Sequence, residues 1–433
     1  MPTKKIYTAG GLILILSLII ITLIFKLQPS WKITGDGFGY YSYLRSLYFD
    51  HDLNFHNEYR YYDLTFNSHV ADMRLTPINK LGNVFAIGLS IVWLPFLLIA
   101  RIFDYWIKAT PGELTGLGIN YQISLAVGSL LYTLGGLLLL FKTLKKFFSI
   151  RASWISVLAI IFISPLLHYI IYEPHMSHGV SLATVSLMLW FSVKIYQTKE
   201  PPRFKNLIWL GLSMGLVILL RWQNLIFWLI PLIFLFQQYK KNLTQLSLVV
   251  LPFILGLLCF IPQLIVWQIL YGSFLTIPQG SGFLHFFNPQ IGNFLFSGFH
   301  GLFFWHPLLL LGLVGLILSY KKYRAIFWVF LVVLLGQIYI NSIVNDWWAG
   351  QSFGSRRMIE SLPIFAFGVA YLLDYLSNKK IVYRSLLAIL LLGSLFNILL
   401  MISAPRGFIP LEKPVSLKQF YQAPLQLLQN TLK

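Results

Sequence analysis

The chain of 433 residues is 57% hydrophobic and only 11% charged, with 13 Trp, 23 Tyr and 36 Phe and a mean hydropathy of +0.72. A soluble domain carries about 25% charged residues, so this chain cannot cover a water-facing surface of its own size, which excludes soluble enzymes, disordered tails and disulfide scaffolds. The formal charge of +19 reports membrane topology before any nucleic-acid partner, and no nucleic acid is expected. The single cysteine, Cys259, lies in the apolar run VVLPFILGLLCFIPQLIVW and excludes an internal disulfide or a cysteine-rich metal site.

The first apolar run, 10–25, follows Lys4 and Lys5 without a small-residue cleavage site, and is read as a retained helix with its N-terminus inside. Further runs fall at 119–141, 152–171, 178–196, 206–220, 224–237, 246–270, 302–319, 325–344, 361–377 and 384–403. Each is adequate or slightly short for a core of about 30 Å. The expectation is an all-α polytopic membrane protein with about eleven transmembrane helices, forming one domain over 1–433.

Charge placement orients it. Lys4 and Lys5 and the turns at 142–151, 194–205, 240–241, 321–324 and 379–384 hold 18 of the 33 basic residues against Glu200 and Asp374. That face, at +16, is predicted to be cytoplasmic. The opposite face carries +3 and comprises the first outer loop, 28–118, the outer loops 271–301 and 345–360, and the tail 404–433. Twelve of the 14 acidic residues lie there, so acid–base chemistry is expected outside. The segment 82–103 is apolar enough to span, but a crossing there would invert every later loop. Parity therefore predicts that it lies along the outer membrane face, together with a further interfacial helix in the same loop.

In the first outer loop, Asp36 sits among Gly35, Gly37 and Gly39, where the backbone can approach closely and adopt unusual dihedrals. The stretch from Phe38 through Tyr40, Tyr41 and Tyr43 opens an amphipathic helix with Leu44, Leu47 and Tyr48 on its apolar face. A carboxylate over an aromatic floor is placed to deprotonate an acceptor hydroxyl, although the same acid would serve a helix dipole. Glu58, in the same acidic loop, is taken with Tyr40 and Tyr41 as a sugar or acceptor contact. IYEPHMSHG supplies Glu173, His175 and His178 after a span, where a lone carboxylate is costly unless used or paired. Asp36, Glu173 and His175 are candidates for a divalent metal ion, with structural hydrogen bonding as the alternative. The remaining histidines are read as packing or capping residues or left unassigned.

In NDWWAGQSFGSRRMIES, Arg356 and Arg357 can grip a lipid-linked phosphate, while Asp346, Trp347 and Trp348 suit a sugar; the tryptophans equally suit an aromatic belt. Arg221 is an outer cation without a topological purpose, Arg74 and Lys80 are two more just before the interfacial helix, and together these could neutralise one or two donor phosphates.

One inside-to-outside helix, an acid shortly after it, a non-crossing interfacial helix, the basic turn KTLKK and a second acid after the next span resemble the GT-C integral membrane glycosyltransferases. The branch is that of protein O-mannosyltransferases, lipid A aminoarabinose transferases and RgtA/B/C/D-like proteins. The resemblance covers about residues 8–240, and WWAGQSFGSRR is similar to a later loop of such proteins. Family members often pair two acids in the first loop, where this chain has Asp36-Gly37. The resemblance implies a polyprenyl-phosphate sugar donor, a lipid, glycan or protein acceptor, inversion at the anomeric carbon, Asp36 as base and Glu173 as the second-loop acid. The expected location is a bacterial inner membrane, with the site facing the periplasm. Competing readings are a polymerase or ligase of lipid-linked glycans, a flippase, and a non-catalytic scaffold; the spans hold few ionisable groups and no visible repeat, which counts against the flippase.

Overall fold

The computed structural model describes residues 11, 17–24, 26–27, 29–66, 75–107, 115–198, 200, 202–239 and 243–431; Arg74 lies outside them. Among the described residues the secondary structure is helical, apart from two isolated bridges, Leu75–Leu81 and Leu284–Val344.

The segment 28–118, expected as the first outer loop, holds α1 (Asp36–Arg45), α2 (His56–Phe66) and α3 (Gly88–Trp106). The expected amphipathic helix through Leu47 and Tyr48 stops short: α1 gives way to a π-turn at Ser46–Asp50, and Gly37–Arg45 are buried on every side. The reason is tertiary, because aromatic and aliphatic side chains from α2, α3 and the ends of four further helices close over α1 in a core of their own.

Helix α4 (Ile119–Leu144) runs antiparallel to α3. Trp93 Nε1 donates to Ser129 Oγ at 2.9 Å, Ser124 Oγ to the Phe96 carbonyl at 2.7 Å, and Asn120 Nδ2 to Asp104 Oδ1 at 2.7 Å. At the other end of α3, Gly88 packs on the Leu219–Leu220 backbone.

Several expected spans are interrupted. The run 152–171 becomes α5 (Ile150–Phe162) and α6 (Leu166–Ile171), because Pro165 cannot continue the first helix. Next come α7 (Ser177–Tyr196), α8 (Phe204–Leu220), a 3-10 segment Trp222–Trp228 and α9 (Leu229–Tyr239). The run 246–270 divides into α10 (Leu243–Cys259) and α11 (Ile261–Tyr271) before Pro262. After the short α12 (Ile291–Phe296), 302–319 divides at Pro307 into α13 (Leu302–Trp305) and α14 (Leu309–Leu318). Then follow α15 (Arg324–Ser342), a 3-10 turn Arg356–Ser361, α16 (Leu362–Leu376), α17 (Lys380–Ser403) and α18 (Leu417–Thr431). Seven described helical stretches are long and apolar enough to cross a membrane, α3 among them, with three shorter apolar helices beside them; part of the first expected span, 10–25, lies outside the described residues.

Small residues let the bundle close. Backbones of α14 and α16 touch at Gly312, Gly315 and Gly368, where any Cβ would collide with a carbonyl, and Gly136 of α4 meets Ala183 of α7 the same way. The chain is an integral membrane protein, with one large apolar core through the bundle and a smaller one under the first outer loop.

Candidate active site

Asp36 is the first residue of α1. Gly35 before it takes φ +53°, which a residue with a side chain rarely adopts. Gly37 lets α1 close on the 172–176 loop, where a Cβ would stand 2.9 Å from His175 Cβ. The Asp36 side chain, 31% exposed, pairs through Oδ2 with Nη2 of Arg356 at 2.9 Å. Arg356 comes from the start of the 3-10 turn before α16, so the two ends of the site are some 320 positions apart in the chain.

Glu173 lies in the break between α6 and α7. Its Oε1 is 3.8 Å from His168 Nε2, its Oε2 is buried without a partner, and its field reaches Arg356. Tyr40, one helical turn past Asp36, is buried and shares a 3.0 Å hydrogen bond with Ser177 Oγ.

Behind this surface lies a buried charged group. Arg221, where α8 ends, directs Nε to Glu360 Oε1 at 3.2 Å and Nη1 to Ser177 Oγ at 3.4 Å. His178 Nδ1 stands 3.1 Å from Arg221 Nη1 and 3.3 Å from Glu360 Oε1. With its amide oxygen turned to the guanidinium, Gln223 accepts from Arg221 Nη2 at 2.7 Å. Sequence reasoning missed Glu360, Ser177 and Gln223. The available signal for Glu360 was an acid one turn after Arg356, just ahead of a span.

Other expected residues sit elsewhere. Arg357 turns to Asp346 at 2.8 Å, and Trp348 stacks on Phe299 at 5.2 Å with Trp347 edge-on to it. Tyr41 is buried and donates to the Gly116 carbonyl. Glu58 is held by Arg45 at 2.5 Å, and burial pushes its carboxyl up to about 7 despite that partner. Lys80 lies in the exposed turn closed by the Leu75–Leu81 bridge, with no ion pair to the Asp36 group among the described residues.

The metal set does not assemble. His175 Nε2 is 2.8 Å from the Gln122 carbonyl oxygen, burial lowers His175 to about 4, and a guanidinium stands on Asp36. Among the described residues no three His, Cys, Asp or Glu side chains gather as a metal site. What remains is a half-exposed carboxylate, a second acid and Arg356 on one surface, with the buried Arg221 group behind it. Such a surface can take a proton and neutralise a phosphate. An open cleft of about 1330 Å³ lies between the 75–84 and 271–281 segments, and the Phe85 ring, next in sequence to its Val84, lies against Tyr40.

No protein-family model matches the sequence, and no curated protein does. Among solved structures, ArnT from Cupriavidus metallidurans in the apo state aligns with TM-score 0.53 at 12% identity, over 95% of this chain and 74% of that one. The apo oligosaccharyltransferase of Archaeoglobus fulgidus aligns with TM-score 0.52 at 14% identity, over 97% of this chain. The fold is GT-C. The chain spans 56% of the length of the archaeal protein, and at these identities the likeness shows the GT-C architecture alone.

Proposed function

We propose that the protein is a membrane glycosyltransferase that moves a sugar from a polyprenyl-phosphate donor to an acceptor hydroxyl at its outer, periplasmic face. The observation that carries this reading is the Asp36–Arg356 pair at 2.9 Å, with Glu173 and the buried Arg221 group beside it in a GT-C fold. Charge placement supports the orientation, since the acids gather opposite the +16 face.

The reaction is a single displacement with inversion. The acceptor oxygen attacks the sugar's C1, the bond from C1 to the phosphate oxygen breaks, and the acceptor proton passes to Asp36. Arg356 and Arg221 balance the charge that grows on the departing phosphate. Because Arg356 rests on Asp36, an arriving phosphate draws the guanidinium toward itself and loosens the pair, freeing the carboxylate as the donor binds. Phosphate is a good leaving group, so positioning and charge neutralisation suffice. Glu173, with one unpartnered oxygen, orients the acceptor.

The test is transfer of radiolabelled sugar from a panel of polyprenyl-phosphate sugars to membrane acceptors, comparing the natural chain with Asp36→Asn at matched expression. The expected loss is about 100-fold or more. Equal transfer by both proteins would favour a ligase or polymerase relying on the arginines, and no transfer from any donor would reject the reading.

A further inference from the structure

Helix α7 begins at Ser177, in contact with Tyr40 and Arg221, and ends at Tyr196; its 20 residues span about 30 Å. At that far end, α7, the start of α8 and the end of α9 surround a cavity of about 500 Å³. Trp190, Phe191 and Trp209 form an aromatic wall, with Phe191 and Trp209 stacked at 6.4 Å. Lys194, Arg203 and Lys205 line the same cavity with one acid, Glu200. Among the described residues none of the three cations pairs with a carboxylate: Lys194 Nζ donates to Asn206 Oδ1 at 3.1 Å and lies 5.8 Å over the Phe191 ring. Tyr239, the last residue of α9, also lines it; the side chain is 3% exposed and its hydroxyl has no partner.

Positive loops alone would orient the chain without a cavity, an aromatic wall or an unsatisfied buried hydroxyl. Together these are three cationic donors and a phenol donor around a space too large for water alone, facing aromatic rings of the kind that sit at the headgroup level of a bilayer. We propose that this pocket binds the phosphate of an anionic phospholipid headgroup, held by Lys194, Arg203 and Lys205 with the Tyr239 hydroxyl as a further donor. Basic pockets between membrane helices recognise such headgroups by charge and donor geometry.

The experiment is thermal melting of the full chain in detergent, titrated separately with phosphatidylglycerol, phosphatidylcholine and glycerol phosphate. Phosphatidylglycerol is expected to raise the melting temperature and phosphatidylcholine to leave it unchanged. In Arg203→Gln/Lys205→Gln the half-saturating lipid concentration should rise about 25-fold, about fivefold per cation. Tyr239→Phe, which preserves packing, should weaken binding by less, and Lys322→Gln/Arg324→Gln at a neighbouring basic turn should not weaken it at all. No shift with phosphatidylglycerol, an equal shift with phosphatidylcholine, or an equal loss in the Lys322/Arg324 variant would overturn the site. A full shift with glycerol phosphate at the same concentration would overturn the lipid as its source and leave a soluble phosphate ligand.

Discussion

Arg221 is buried and Arg356 is part-buried, and they are held in different ways. Arg221 is enclosed by Glu360, His178, Ser177 and Gln223, whereas Arg356 meets one half-exposed carboxylate and, through Nη1, the Met176 sulfur at 3.4 Å. Glu360 is 1% exposed, so Glu360→Ala leaves a guanidinium buried and unpaired; the expected loss is about 3–5 kcal/mol, read from denaturant or thermal unfolding in detergent. Arg356→Ala should leave stability much less affected and abolish transfer, because Asp36 retains access to solvent. His175 gives a pH signature. Burial lowers it to about 4 in the folded chain, against about 6.5 unfolded, so between those values the unfolded state binds more protons. Its contribution is complete above pH 6.5 and is lost as the pH falls toward 4. Melting temperatures measured across that window should fall less steeply in His175→Asn than in the natural chain.

At the scale of elements, α3 poses the question of whether it crosses. Its first residue rests on the C-terminal end of α8 and its last turns lie beside Asn120 at the start of α4, while the basic turns, expected inside, sit at the opposite ends of α4 and α8. These contacts support a helix confined to the outer half of the bundle. In a Cys259→Ser background, Lys80→Cys and Tyr105→Cys should both react with a membrane-impermeant maleimide added from outside; labelling of one position only would mean a crossing. Apolar runs located the long membrane helices but not α2, α12 or α18. They could not mark the breaks at Pro165 and Pro307 or the 3-10 turns at Arg221 and Arg356, because the hydropathy of a run is the same whether its helix is continuous or interrupted.

For the whole molecule, the site exists because two distant parts of the chain meet. The 3-10 turn bearing Arg356 leads directly into α16, which is set against α14 by glycine contacts at Gly312, Gly315 and Gly368. Gly368→Leu should push these helices apart at a cost of about 1–3 kcal/mol and lower transfer disproportionately, by shifting Arg356 away from Asp36. A transfer assay on folded protein, normalised by monodisperse yield, checks this; unchanged activity would mean that the pair does not depend on that packing.

The membrane character, the helical class and the two faces with their unequal charge, +16 against +3, were determined by the sequence itself, because hydropathy and the distribution of lysine and arginine are local, additive quantities. The same holds for Asp36 and Glu173 as candidates, since an acid among glycines or beside a span stands out without any partner. Which cation faces which acid was decided only by the tertiary structure. Arg356 and Arg357 are neighbours, yet one turns to Asp36 and the other to Asp346, and Glu360 gained its meaning only when α16 brought it to Arg221. Pairing depends on side-chain direction across packed helices, and no spacing within one segment encodes it.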